Sequence, residues 1–181
     1  YECNGTNDLK IGSRGSGSAT LVRYGVVLRN QTGAPIASLR MSYRGYQMSL
    51  AQNGNAVNRT TFDYVVSSSI PGISASATAV VPALNFTQLQ NSGVAGANQI
   101  NGYPCTQSTL VSGCITLGSP LVNGNYILLR WNDVDDPNND HHMAIDDVQV
   151  DFDLTGTGCS VLLPVELVSF EAQPEQGHVR L

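Results

Sequence analysis

The chain has 181 residues, of which 13% are charged and 41% are hydrophobic, and its net charge at pH 7 is -5. This length suits one domain with its own hydrophobic core. Lys10 is the only lysine, and the sequence lacks the clustered basic side chains that bind phosphates, so nucleic acid is not an expected partner. No apolar run is long enough to insert into a membrane, so the lipid bilayer is not an expected partner either.

Short strands separated by Gly, Asn, Pro and Ser are the recurring signal along the chain. The Gly- and Ser-rich range 10–20 is predicted to be a loop or an irregular edge, and 91–105 a long loop. Predicted strands cover 20–30, 36–47, 59–68, 77–89 (broken at Pro82), 125–134 and 142–154. The turn QTGAP predicts that the first two form a hairpin. Because helical periodicity is absent, these elements predict an all-β fold, an antiparallel β-sandwich or jelly roll.

The end of the chain is predicted to differ from the rest. We expect a β-sandwich domain over 1–160 and a C-terminal tail over 161–181 with a lone β-strand at 165–172. The alternation puts apolar side chains on both faces of that strand: Val165 and Leu167 on one, Val168 and Phe170 on the other. Such a strand is able to add to another sheet, so we interpret it as an assembly strand.

Four cysteines, without a CxxC pair or a zinc-finger histidine, indicate disulfides and an extracellular location. Three connectivities are possible. We favour Cys105–Cys114, because the segment between them reads as a short excursion closed at its base, together with Cys3–Cys159. Four buried free thiols are the alternative.

Acidic residues crowd the segment after the strand 125–134. Asp133, Asp135, Asp136, Asn138 and Asp140 lie there, and Asp147 follows nearby. Their oxygens suit a calcium ion, although the spacing is not that of an EF-hand. The alternative is a solvated acidic turn whose carboxylates cap backbone amides.

Alternation over 144–152 places Asp146 on the apolar face, where a buried carboxylate needs a partner. Arg130 in the preceding strand is the predicted partner, in preference to a metal role for Asp146. His141 and His142 adjoin the acids, but no nucleophile motif or HExxH helix accompanies them. We therefore expect no enzyme activity.

Aromatic rings could bind sugars by stacking. Among Tyr43, Tyr46, Tyr103, Tyr126 and Trp131, the loop residue Tyr103 is the best exposed candidate, whereas Trp131 is expected in the core.

Three stretches carry a resemblance to known secreted proteins. YILLRWNDVDDPNNDHHMAIDDVQVDF (126–152), with YGVVLRNQTGAPIASLRMSYRGYQ (24–47) before it, resembles a recurrent module of secreted Bacteroidota proteins. LPVELVSFEAQ (163–173) resembles the linker found in many substrates of type IX secretion. The resemblance implies a lectin-like jelly roll similar to concanavalin and MAM domains, and export to the cell surface.

These observations predict an extracellular structural or interaction protein that assembles with copies of itself, as a filament or surface layer, through its terminal strands. The alternative is a calcium-dependent carbohydrate-binding or adhesion module whose partners are surface glycans. Whether the tail contacts its own chain or another distinguishes the two.

Overall fold

The computed structural model describes residues 8–50, 57–91, 107–137 and 140–154, and the backbone of 173–175 and 178–180. These residues form two antiparallel sheets packed face to face, as the alternating pattern predicts. The strands are β1 (Ile11–Ser13), β2 (Leu21–Arg29), β3 (Ile36–Gln47), β4 (Arg59–Ser67), β5 (Ala79–Val80), β6 (Phe86–Thr87), β7 (Ser108–Leu121), β8 (Tyr126–Val134) and β9 (Met143–Asp153). A 3₁₀ turn, Pro82–Leu84, lies between β5 and β6.

The four-stranded sheet has the order β1-β9-β3-β7. The five-stranded sheet has the order β2-β8-β4-β5, and β6 also pairs with β4. The long strands that follow one another along the chain therefore lie in different sheets.

The core forms where alternate side chains of both sheets meet. Trp131 lies at its centre and is 2% exposed. Its ring makes edge contacts with Phe62 and Tyr43, at centroid distances of 5.2 and 5.4 Å, and stacks on Tyr24 at 6.0 Å. The prediction that Trp131 belongs to the core is confirmed, and such aromatic pairs add to the stabilisation from burial alone.

The turn between β2 and β3 is not the predicted hairpin, since it carries the chain from one sheet to the other. Asn30, which is 2% exposed, organises this crossing. Its side-chain amide donates to the carbonyls of Ala34 and Leu121, at 2.8 and 2.7 Å, and its oxygen accepts from the Thr32 amide. With β2 and β3 in different sheets, the apolar side chains of each strand can face those of the other across the core. In one hairpin the two strands would lie side by side in the same sheet.

Two strands were missed in the sequence. β7 is a long edge strand paired with β3, although Gly, Ser, Thr and Pro make its sequence resemble a loop. β1 falls within the range expected to be irregular and pairs with the start of β9.

One side of the sandwich is closed by the 3₁₀ turn. Leu84 is fully buried there, and its carbonyl accepts a hydrogen bond from Tyr43 Oη at 2.7 Å. Phe86 lies against β3 at Gly45, where a Cβ atom would meet the ring at 2.5 Å. The opposite side, between β2 and β9, has no comparable cover among the described residues.

The tail contains more than the lone strand that the sequence predicts. Strands β10 (Gln173–Glu175) and β11 (His178–Arg180) pair with each other as a short antiparallel hairpin. The predicted assembly strand, 165–172, lies outside the described residues. Among those that are described, no helix has the length and apolar character needed to cross a membrane.

Candidate functional site

An open apolar cleft separates the two sheets on the side of β2 and β9. Its volume is about 610 Å³. The lining is mainly aliphatic and aromatic, and it includes Ile11, Val26, Leu28, Val148, Val150 and Phe152. Several of these side chains reach solvent: Phe152 is 54% exposed and Val26 is 38% exposed. Soluble monomers rarely expose a continuous apolar surface of this kind, and where one occurs it often binds a partner or a ligand.

Both strands that border the cleft have unpaired backbone edges within the described part of the chain. Of the strands that are described, β8 alone pairs with β2. β9 pairs with β3 along its length, but on its other side β1 covers only Met143 to Ile145. Among the described residues, the edge of β9 from Asp146 to Phe152 therefore has no neighbouring strand, which leaves backbone amides and carbonyls there for another strand.

A β-bulge in β9 aims its second half at the cleft. Ser42 pairs with Gln149 whereas Arg44 pairs with Asp146, so Asp147 and Val148 together oppose Tyr43. Asp147 has φ +53°, the left-handed conformation found at the first residue of one type of bulge. Met143 and Ile145 belong to the core before the bulge, and Val148, Val150 and Phe152 line the cleft after it.

The same bulge overturns the prediction that Asp146 shares a face with Val148 and Val150. Asp146 is partly exposed and accepts a hydrogen bond from Lys10 Nζ at 2.6 Å. Lys10 also pairs with Asp8 at 2.6 Å and lies 4.7 Å from the centroid of the Tyr46 ring. Burial alone would lower the pKa of Lys10, but the hydrogen bonds to Asp146 and Asp8 outweigh it and raise that pKa.

The predicted Arg130–Asp146 ion pair is wrong because β8 and β9 belong to different sheets. Arg130 pairs instead with Asp63 on β4, with Nε–Oδ1 at 2.9 Å and Nη2–Oδ2 at 3.0 Å. Its Nη1 donates to the carbonyls of Ile73 and Ala75, each at 2.7 Å. Arg130 thus fixes the segment between β4 and β5 against the outer face of the five-stranded sheet.

The acidic segment closes one end of the sandwich, where Asp133 is 2% exposed and Asp140 is 3% exposed. The side-chain amide of Asn58 donates to Asp136 Oδ2 at 3.1 Å and to Asp140 Oδ1 at 3.0 Å. The backbone amide of Asp136 donates to Asp140 Oδ1 at 3.3 Å. The capping role that we considered for these carboxylates is therefore present.

The predicted metal ligands are described only in part. Asn138 lies outside the described residues, and Asp147 is paired with Arg44 at 3.9 Å. The described residues contain no group of three or more His, Cys, Asp or Glu side chains placed to hold a metal ion. The calcium-binding set therefore stays a prediction.

His141 and His142 are buried. The Nδ1 atom of His142 forms a short hydrogen bond with Ser49 Oγ. Burial, with smaller effects of Arg14 and His141, lowers the pKa of His142 to about 4. His142 is therefore neutral at pH 7 and helps to hold the segment that follows β3.

Cys114 is disulfide-bonded, and Cys3, Cys105 and Cys159 lie outside the described residues. The cysteine bonded to Cys114 therefore lies outside the described residues, and the pairing with Cys105 stays a prediction.

The aromatic candidates for sugar binding are reduced by burial. Tyr43, Tyr46 and Trp131 are buried, and the Arg29 guanidinium lies 5.5 Å from the Tyr126 ring centroid. Tyr103 lies outside the described residues.

The fold and the site define a β-sandwich with an open side. Comparison with family models, with curated proteins and with solved structures gives no match to this chain.

Proposed function

We propose that this chain is an extracellular structural subunit that assembles with copies of itself, each copy receiving a β-strand from another in its cleft. The observation that carries the proposal is the apolar cleft between two unpaired strand edges. A strand seated there would satisfy the free backbone groups and cover the exposed apolar side chains in one step.

The burial of apolar area supplies the driving force. At about 25 cal/mol per Å² of apolar surface removed from water, a few hundred Å² corresponds to several kcal/mol before the entropy of ordering the strand is subtracted. The closed side of the sandwich provides the comparison, since Leu84 fills the equivalent gap there.

The strand that fits best is the sequence-predicted segment 165–172. A strand between two sheets needs apolar side chains on both faces, and Val165, Leu167, Val168 and Phe170 supply them. Such a segment extends about 26 Å, and the edge of β9 without a described neighbour, from Asp146 to Phe152, is of similar length.

An extracellular location is part of the proposal. The disulfide at Cys114 supports it, because disulfides persist in oxidising compartments.

The proposal is tested by mixing two variants of the full chain. V168D/F170D impairs the donated strand, whereas F152D impairs the cleft at a side chain that already reaches solvent. V80D is the matched control, since Val80 is 68% exposed on β5. Mass is measured by light scattering after size exclusion, and particles are viewed by electron microscopy.

Wild type and V80D should form polymers, and each of the other variants alone should remain monomeric. Their mixture should form one-to-one dimers only, because one cleft and one strand remain functional in each pair. A wild-type protein that stays monomeric at high concentration contradicts self-assembly. Binding of that monomer to a glycan array would then favour the carbohydrate-binding alternative.

A further inference from the structure

A buried group of oxygen atoms lies at the acidic end of the sandwich, where β1, β2, β4 and β8 meet. Ser13 is 5% exposed and Thr60 is fully buried. Ser13 interacts with both Asp133 and Tyr24, and Thr60 interacts with Tyr24, so these side chains converge on one place. Within the described residues, none of these contacts has the geometry of a good hydrogen bond at four of the oxygens: Ser13 Oγ, Tyr24 Oη, Thr60 Oγ1 and Asp133 Oδ2.

Gly15 connects this group to Asp140. Its backbone amide interacts with Asp133. A Cβ atom at Gly15 would collide with Asp140 Oδ2 and would lie 2.8 Å from the Asp135 Cα atom. The two buried carboxylates therefore flank one glycine, which allows the loop after β1 to approach both.

No basic side chain balances these carboxylates in the described ion pairs, which join Lys10 to Asp8 and Asp146, Arg44 to Asp147, and Arg130 to Asp63. Asp140 Oδ1 accepts hydrogen bonds from Asn58 and Asp136, and Asp133 interacts with Ser13 and the Gly15 amide, but these neutral groups do not balance two buried charges. Burying a charged carboxylate without an opposite charge or a metal carries a large desolvation cost.

We propose that a calcium ion binds between Asp133 and Asp140, with Ser13 Oγ and Thr60 Oγ1 as neutral oxygen ligands and Tyr24 Oη beside them. Calcium accepts six to eight oxygen ligands, mixes carboxylates with neutral oxygens and tolerates irregular geometry. Two carboxylates suffice for such a site. Its ligands come from β1, β4, β8 and the segment before β9, so the ion would join the two sheets.

The direct test uses Tb³⁺, which replaces calcium in oxygen-ligand sites. Tyr24 and Trp131 lie at or near the proposed ion, with their ring centroids 6.0 Å apart, so excitation of these rings should sensitise Tb³⁺ luminescence. Calcium should displace the signal, whereas magnesium at equal ionic strength should displace it weakly. Absence of sensitised luminescence in the chelator-treated wild type overturns the site.

Thermal unfolding provides a second readout. Calcium at about a hundred times its dissociation constant should raise the melting temperature of the chelator-treated chain by roughly 5 °C or more. D133N should lose this shift but stay folded, because the substitution removes a buried charge. D151N changes an exposed carboxylate on β9 and should keep the full shift.

S13A separates a calcium site from a hydration site. Loss of one neutral ligand should weaken calcium binding by about tenfold, measured by titration calorimetry on the folded variant. An unchanged affinity in S13A and D133N, or no calcium heat in the wild type, would mean that the group holds only a buried water. Neither result bears on assembly, because V168D/F170D should respond to calcium as the wild type does.

Discussion

Arg130 and Asp63 form a two-contact ion pair across the centre of the five-stranded sheet, on adjacent strands β8 and β4. The side chain of Arg130 is 2% exposed and that of Asp63 is 10% exposed. Asn132 donates a further hydrogen bond to Asp63 Oδ2 at 2.9 Å. Because Nη1 of Arg130 also donates to two backbone carbonyls, this pair joins the sheet to the segment that covers it.

Removing either charge should destabilise the fold strongly. R130M leaves the buried Asp63 carboxylate without its charged partner, and D63N does the same to the Arg130 guanidinium. Each substitution should therefore lower the free energy of unfolding by about 3–5 kcal/mol. Urea denaturation followed by tryptophan fluorescence measures the change. R40M, at an exposed position on β3, is the control and should alter the free energy of unfolding by less than about 0.5 kcal/mol. A loss below about 1 kcal/mol in both test variants would mean that solvent replaces the pair.

The acidic end predicts a pH dependence in calcium-free buffer. Burial, reinforced by the charges of Asp136, Asp133 and Asp135, raises the pKa of Asp140 from 3.8 to about 6. The folded state therefore holds this proton more tightly than the unfolded state. The stabilising contribution is complete below about pH 4 and is lost as pH rises to about 6, and it amounts to roughly 3 kcal/mol at most.

Other charged groups face the same end: Arg14, His141 and His142. His142 acts in the opposite direction, because a pKa lowered from 6.5 to about 4 removes stability as pH falls through that range. The measurement is therefore the difference in free energy of unfolding between D140N and wild type. As pH rises from 4 to 6.5, the free energy of unfolding of D140N should increase relative to that of wild type. A difference that does not change with pH would contradict a raised pKa at Asp140.

The disulfide at Cys114 can be assigned by peptide mapping without reduction. We expect a peptide that joins Cys114 to Cys105, because the segment between them is short and both cysteines flank the start of β7. A peptide that joins Cys114 to Cys3 or Cys159 would contradict this pairing.

Strand positions could be predicted from the sequence where alternation is strong. β3, β4 and β8 begin and end within one residue of the predicted ranges, because Ile, Val, Tyr and Phe alternate with polar residues there. β7 lacks that contrast, and its identity as a strand comes from pairing with β3. The residues of a turn do not determine whether the two strands it joins lie in the same sheet. For this reason a hairpin was predicted between β2 and β3, where the chain passes from one sheet to the other.

The site was predictable only in part. The alternation of Ile127, Leu129 and Trp131 continues to Asp133, and this pattern could have shown that Asp133 points inward. The bulge at Asp147 has no distinct sequence signal, and without it the face of Asp146 is assigned incorrectly. Lys10, Asp63, Ser13 and Thr60 were missed because their partners are distant along the chain.

The strand order has a consequence for how fast the native state forms. The long strands pair only with strands remote in sequence, such as β2 with β8 and β3 with β9. Strands that are far apart in the sequence must therefore come together, each closing a large loop, before a long pair of strands forms its hydrogen bonds. Folding rates fall as the mean sequence separation of contacts rises. Refolding should take milliseconds to seconds, and during that delay the strand edges and apolar faces of both sheets stay exposed to other chains.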